Sequence, residues 1–317
     1  MLLSNVYSNQ VYESEIRNNM DFLNESNVFE DKSFLPEVSF NDAEYMIFCD
    51  FDGTYLFNSQ SDEDEDNLRE LESYISEICQ KHKVMIGWVT GSSKDFLLSK
   101  IKKSKIKLIP HFIASSLGTE VVMFNQKTGH SGATNDIWQK RVDSDFFQNA
   151  IKDIQKEIES LGIKLVPQHL NYSKNKLSFY YYAISESKDN ENISEIKRVA
   201  LKRGISVNIN FCSPNVGDPE NCYDVDFIPS CCGKVNVIDF LKNQYGTENT
   251  KTFAFGDGEN DIEMLNYADF GYLVNNATKQ AKEKFKNVVK YNSTKGILYA
   301  LRSFFENLEN KNGDKQL

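Results

Sequence analysis

The apolar run Tyr45-Met46-Ile47-Phe48-Cys49 stops on Asp50-Phe51-Asp52-Gly53-Thr54, so two acids stand two residues apart where a hydrophobic stretch ends. A short unbroken apolar run is the mark of a parallel strand covered on both faces, and the carboxyl ends of such strands are where open α/β sheets bind ligands. Side chains alternate with period two along an extended chain, so both carboxylates face one crevice, and Gly53 with Thr54 supplies a sharp exit. A fold that accepts this segment must be a doubly wound α/β core. With 317 residues, 40% of them hydrophobic, the chain can build that core and a second domain besides.

The rest of the sequence supplies the layers. Val84-Met85-Ile86-Gly87-Trp88-Val89 reads as a second buried strand ending at Thr90-Gly91-Ser92-Ser93, and Phe112-Ile113-Ala114-Ser115 as a third. Leu68, Leu71, Ile75 and Ile78 recur at helical spacing behind the acidic run 61–66, which suits the positive end of a helix dipole. Tyr223–Ile228 and Thr252–Phe255 read as further core strands, the second ending in Gly256-Asp257-Gly258-Glu259-Asn260-Asp261. Between residues 125 and 222 helices and strands cease to alternate in βα steps, with strands expected at 163–166, 177–184 and 205–211, which predicts an inserted α+β cap. The expected division is an N-terminal surface arm at 1–43, a core at 44–124 and 223–317, and the cap at 125–222.

Composition excludes several classes of function. A formal charge of −10 and the absence of a basic stripe argue against a nucleic-acid partner. No apolar stretch approaches the roughly 20 residues of a membrane-spanning helix, and the first residues lack the basic start and apolar block of a secretory signal, so the expected location is cytoplasmic, with no membrane partner. The six cysteines fall into no zinc-like CxxC pair and are expected as reduced thiols; Cys231 and Cys232 are adjacent, and neighbours bridge only with strain.

Asp50 with Asp52, Thr90-Gly91, Lys234 and Asp257 with Asp261 recur at strand ends or helix starts, and their chemistry belongs together. A phosphate monoester repels nucleophiles, so its transfer depends on positioning and charge neutralisation. Asp50 is the candidate nucleophile, and Asp52 the candidate acid for the departing alkoxide and base for water. Clustered carboxylates call for a hard cation, and Mg2+ is expected on the carboxylates of Asp50 and Asp257 and the carbonyl of Asp52, supported by Asn260 and Asp261. Thr90, Gly91 and Lys234 are expected around the phosphoryl oxygens.

These motifs resemble the four motifs of the haloacid dehalogenase superfamily, and Asp52 places the resemblance in its phosphohydrolase branches. The insertion between Thr90 and Lys234 is similar to the type 2 (C2B) cap of the branch that includes sucrose phosphatases. Residues 47–52, 86–93, 110–115, 207–210 and 217–229 resemble the kanosamine-6-phosphate phosphatase family. The resemblance implies a magnesium-dependent phosphatase acting on a small sugar phosphate, kanosamine 6-phosphate (3-amino-3-deoxyglucose 6-phosphate) or, as the alternative, another hexose phosphate or a sucrose phosphate. An amino sugar asks for carboxylates and bidentate partners, and the candidates are Glu120, Asn210 and Asp224, with Asp218 and Glu220 beside them.

Overall fold

The computed structural model describes residues 28–57, 61–142, 144–168, 173–212 and 219–313. Its strands are β1 (Ser33–Phe34), β2 (Ala43–Cys49), β3 (Val84–Val89), β4 (Leu108–Ile109), β5 (Phe112–Ser115), β6 (Glu120–Met123), β7 (Ala133–Thr134), β8 (Val166–Pro167), β9 (Leu177–Tyr182), β10 (Ile205–Phe211), β11 (Cys222–Pro229), β12 (Gly246–Gly256) and β13 (Phe270–Leu273). The helices are α1 (Asp62–Lys81), α2 (Lys94–Lys103), α3 (Asp136–Gln139), α4 (Ser144–Ser160), α5 (Glu186–Leu201), α6 (Lys234–Tyr245), α7 (Ile262–Tyr267), α8 (Lys279–Lys284) and α9 (Ser293–Gly313).

The main sheet runs β13-β12-β2-β3-β5-β6-β7; its first five strands are parallel, and β6 and β7 are antiparallel at one edge. The unbroken apolar runs are explained by two buried faces. Ile47, Cys49, Ile86, Trp88, Phe253 and Phe255 join one apolar layer, whereas Met46, Phe48, Met85, Val89 and Ala254 join the other. Helix α1 starts in a capping box, with the Ser61 hydroxyl accepting from the Asp64 amide and the Asp64 carboxylate from the Ser61 amide, and its first turn is acidic, as the charge run predicts. No helix among the described residues is long and apolar enough to cross a membrane.

A second, antiparallel sheet runs β10-β11-β9-β8 and carries α4 and α5 on one face. Two expectations change here. Residues 223–228 are not a returning core strand: β11 pairs with β10 and β9 in the small sheet, and only its end, at Ile228, followed by Cys232, packs into the second layer of the main sheet ahead of the helix at Lys234. The reading failed because Val225, Phe227 and Ile228 look like a strand buried on both faces, but Val225 and Phe227 pack into the cap core while Asp224 and Asp226 face the other way. Residues 125–142 in turn belong with the main sheet, since β7 extends it and Trp138 of α3 is buried in its second layer, its indole N–H donating to Gly118 O at 2.9 Å.

The described end of the expected surface arm is part of the core. Phe29 is fully buried against the Phe124 ring at 5.1 Å, and β1 pairs in parallel with β4. His111 fastens the segment: its Nδ1 accepts from the Ile86 amide at 3.1 Å, so Nε2 carries the hydrogen and donates to Pro36 O at 2.9 Å. Burial holds its pKa below the ordinary histidine value, in keeping with a neutral ring in a structural role.

Candidate active site

Strand β2 delivers Asp50 to the carboxyl edge of the main sheet, where its amide donates to Phe255 O at 2.9 Å and its side chain is buried. Lys234, the first residue of α6, is equally buried and donates to Asp50 Oδ1 at 2.7 Å and to Asp261 Oδ1 at 2.6 Å. The other Asp261 oxygen accepts the amides of Asp257 at 3.1 Å and Gly258 at 2.9 Å. Asp261 therefore spends both oxygens inside the protein and fixes the loop that carries Asp257. Asp257 Oδ1 takes the Thr54 hydroxyl at 3.3 Å.

Carboxylate oxygens of Asp50, Asp257 and Asp261 all lie within 4.8 Å of one another. Burial pushes the Asp50 pKa well above the carboxylate range; Lys234 opposes this, and Asp261, Asp257 and Asp52 add to it. Burial, with the charge of Asp261, pushes Asp257 up to about 7. One lysine thus leaves this oxygen-only cluster short of positive charge, which is the donor set a hard divalent cation takes. Gly53 keeps the space open: its φ is +78°, and a Cβ there would lie 2.4 Å from Asp257 Oδ2. The turn is held from below by Gly53 O, which accepts from Asn276 Nδ2 and from the Ser293 hydroxyl, each at 2.7 Å.

The Asp52 carboxylate stands apart from the cluster. It accepts the Ser92 hydroxyl at 2.8 Å and pairs with Lys100 of α2. Thr90 is buried at the end of β3, with its Oγ1 accepting the Ser92 amide at 3.0 Å. Asp50, Asp52, Thr90, Gly91, Asp257 and Asn260 form the floor of a cavity of about 220 Å³. Lys234 is not among its lining residues; its ammonium is held between Asp50 and Asp261, directly behind the floor.

The roof is the face of the small sheet opposite its helices. In register, Asn208 of β10 stands beside Asp226 of β11 and Ser178 of β9, and Asn210 beside Asp224. Asn208, Asn210, Asp224, Asp226, Gln168 and Lys176 all line the cavity. Gln168 Nε2 donates to Asp224 Oδ1 at 2.6 Å, and the Ser178 hydroxyl to Asp226 Oδ1 at 2.5 Å. Lys176, buried, crosses to the floor and donates to Gly91 O at 2.9 Å while lying 3.4 Å from Asp226. Of the sugar candidates, Asn210 and Asp224 reach the cavity; Glu120 does not, because the chain reverses at Ser116–Gly118 and places it opposite Ser115 at the start of β6. Asp218 lies outside the described residues, and Glu220 does not line the cavity. The sequence reading missed Gln168, Lys176, Asn208, Asp226, Ser92 and Lys100. Polar residues alternating with apolar ones in Val207-Asn208-Ile209-Asn210 and Asp224-Val225-Asp226-Phe227 were the available signal for two of them, Asn208 and Asp226.

Residues 43–305 match the family model for sucrose-6F-phosphate phosphohydrolase. The chain belongs to that family. It is a phosphoric monoester hydrolase of the haloacid dehalogenase superfamily. It is 37% identical over 261 residues to the kanosamine-6-phosphate phosphatase of Bacillus subtilis (strain 168), covering 82% of this chain and 92% of that protein. A haloacid dehalogenase-like hydrolase from Bacillus subtilis superposes with a TM-score of 0.69 at 35% identity, over 87% of this chain and 96% of the other. The sucrose-phosphatase of Synechocystis, solved with sucrose and phosphate, shares the fold, with a TM-score of 0.62 at 18% identity over 83% of this chain and 98% of its own. The family match begins at residue 43, so the segment carrying Phe29 and β1 lies before it.

Proposed function

We propose that this enzyme removes the phosphate of a hexose 6-phosphate, with kanosamine 6-phosphate as the first substrate to test. The observation that carries the reading is the two-sided cavity: an acidic floor suited to phosphoryl transfer beneath a roof of paired carboxamides and carboxylates suited to hydroxyl and ammonium groups. Identity of 37% to a kanosamine-6-phosphate phosphatase supports the amino sugar.

In this reading Asp50 attacks phosphorus and forms an aspartyl-phosphate as the sugar oxygen leaves. Asp52 gives that oxygen its proton and then takes one from the water that attacks phosphorus, releasing phosphate and restoring Asp50. Ser92 and Lys100 hold the Asp52 carboxylate where both transfers take place. Lys234 anchors the attacking carboxylate through Oδ1, and Thr90 and Gly91 face the phosphoryl oxygens. Asp50 and Asp257, with the Asp52 main-chain carbonyl, would hold a magnesium ion, which would supply neutralisation of carboxylate and phosphoryl charge. Asn210 and Asp224 read the sugar from the roof.

The test is kinetics on hexose 6-phosphates with and without a 3-amino group, together with a sucrose phosphate. The reading expects the 3-amino sugar to have the highest kcat/KM; equal values across the panel would reject the amino-sugar assignment while leaving the phosphatase chemistry standing.

A further inference from the structure

The return from cap to core is a four-residue bridge between Pro229, which ends β11, and Lys234, which begins α6. Cys231 and Cys232 lie inside it, with their sulfurs 4.0 Å apart. Of the six cysteines, all among the described residues, Cys231 is the one that is not buried. The bridge is tightly held. The Cys232 amide donates to Pro229 O at 2.8 Å, the Gly233 amide to Leu117 O at 2.9 Å, and Asn236 Nδ2 to Cys232 O at 2.6 Å. Leu117 lines the active-site cavity and its own amide donates to Thr90 O at 2.9 Å, so the bridge is tied to the phosphate-facing turn on one side and to Lys234 on the other.

We propose that Cys231 and Cys232 form a redox-responsive site, closing to a vicinal disulfide when a low-molecular-weight disulfide such as oxidised glutathione is present, and that closure slows the enzyme by moving Lys234. The Cys231 thiolate attacks one sulfur of the small disulfide, forming a mixed disulfide and expelling one thiolate. The Cys232 thiol then loses its proton to solvent and attacks the Cys231 sulfur, expelling the second thiolate. Two protein thiols are oxidised and one disulfide is reduced to two thiols. The hydrogen-bonding neighbour Cys232, with Arg141 nearby, brings the Cys231 pKa down to about 7, and Cys232 sits above the ordinary thiol value, so the exposed sulfur is the attacking one and the buried sulfur resolves. A ring between adjacent residues is strained, and strained disulfides are the readily reduced, regulatory kind. Its formation requires the peptide between the two cysteines to turn, which conflicts with the Cys232 and Gly233 hydrogen bonds that place Lys234 under Asp50.

This consequence for rate rests on the phosphatase reading, but the chemistry at sulfur does not, and the experiment separates them. The full-length protein is incubated with oxidised glutathione, then read by intact mass, peptide mapping and hydrolysis of p-nitrophenyl phosphate. The expected result is a protein lighter by two hydrogens with the bond between Cys231 and Cys232, a fall in kcat of about tenfold or more, and recovery with dithiothreitol. Cys231→Ser is expected to keep the activity of the reduced enzyme and to resist oxidised glutathione. A stable glutathione adduct without ring closure, ring closure with no change in kcat, or inactivation that persists in Cys231→Ser would each overturn the proposal. A protein that closes the ring but has no phosphatase activity before treatment would overturn the proposed function instead, and with it the link to rate.

Discussion

The floor and the roof of the cavity are both polar, yet they are built on opposite plans. On the floor, Asp50, Asp261 and Lys234 are locked into each other by short hydrogen bonds and are almost wholly buried, with Asp257 beside them. The groups come from three strand ends or helix starts of a parallel sheet whose two faces are sealed by apolar layers. On the roof, Asn208, Asn210 and Asp224 are half-buried on the wet face of an antiparallel sheet, and each owes its position to strand register. A buried interlocked floor tolerates no substitution of its charged groups, because removing one partner leaves the other unpaired in a low-dielectric site. Half-buried Asn208, Asn210 and Asp224 can be changed one at a time, whereas buried Lys176 and Asp226, 3.4 Å apart on the same roof, are locked as the floor is. The same scaffold can therefore keep one chemistry and exchange its sugar.

The largest effects should lie on the floor. Asp50→Asn is expected to lower kcat for any phosphate ester by about 10⁴-fold or more, since the substitution removes the attacking oxygen's charge. Asp52→Asn should cost about 10²–10⁴-fold in kcat, the range for a lost general acid–base, with unfolding by denaturant little changed because Asp52 is partly exposed and its partners can rehydrate. Stopped assays of phosphate release measure both, and near-normal turnover in either would break the division between floor and roof. Lys234→Met should instead destabilise the protein by roughly 3–5 kcal/mol, as Asp50 and Asp261 lose their shared cation; an unchanged urea midpoint would contradict that.

Smaller and more selective effects belong to the roof. Asn210→Ala is expected to lower kcat/KM for the preferred sugar phosphate by about 10–100-fold and that for p-nitrophenyl phosphate several-fold less, because the small ester has no ring hydroxyls to pair. An equal loss on both would move Asn210 from sugar recognition to the chemistry.

The last effect, on stability alone, tests a group outside both surfaces. Glu72 is buried and accepts the Lys107 amide at 3.0 Å and the Leu108 amide at 3.1 Å, and burial, partly offset by those amides, pushes its pKa up to about 7. The folded state therefore holds this proton more tightly than the unfolded chain. Its contribution is fully present below the unfolded value of 4.5 and is lost as pH rises through about 7, a change of at most roughly 3 kcal/mol. Urea unfolding across that window should show stability falling with pH, and Glu72→Gln should flatten the slope; an identical slope in the variant would assign it elsewhere.

The contrast also explains what could be read from the chain alone. Asp50, Asp52, Thr90 and Asp257 each follow an apolar run, so a local pattern marks both the strand and the residue at its end. Lys234 was legible as a charged residue at a helix start, but its partners were not, since 184 residues separate it from Asp50. The roof depends on which strand pairs with which, and β11 was assigned to the wrong sheet because its apolar residues outweighed the alternation of Asp224 and Asp226. Lys176 carries no local pattern at all; its role exists only once β9 is laid against the Gly91 turn. The buried Phe29 was hidden for the same reason, as its partner Phe124 lies across the core sequence.

In the proposed mechanism Asp50 accepts the phosphoryl group. Borohydride added during turnover of a sugar phosphate with magnesium reduces an acyl phosphate at an aspartate to homoserine, and peptide mass spectrometry locates it. Homoserine is expected in place of Asp50 and nowhere else, and is expected to be absent without substrate. Recovery of unmodified Asp50 from an enzyme trapped in mid-turnover, or homoserine at Asp52 or Asp257, would contradict it.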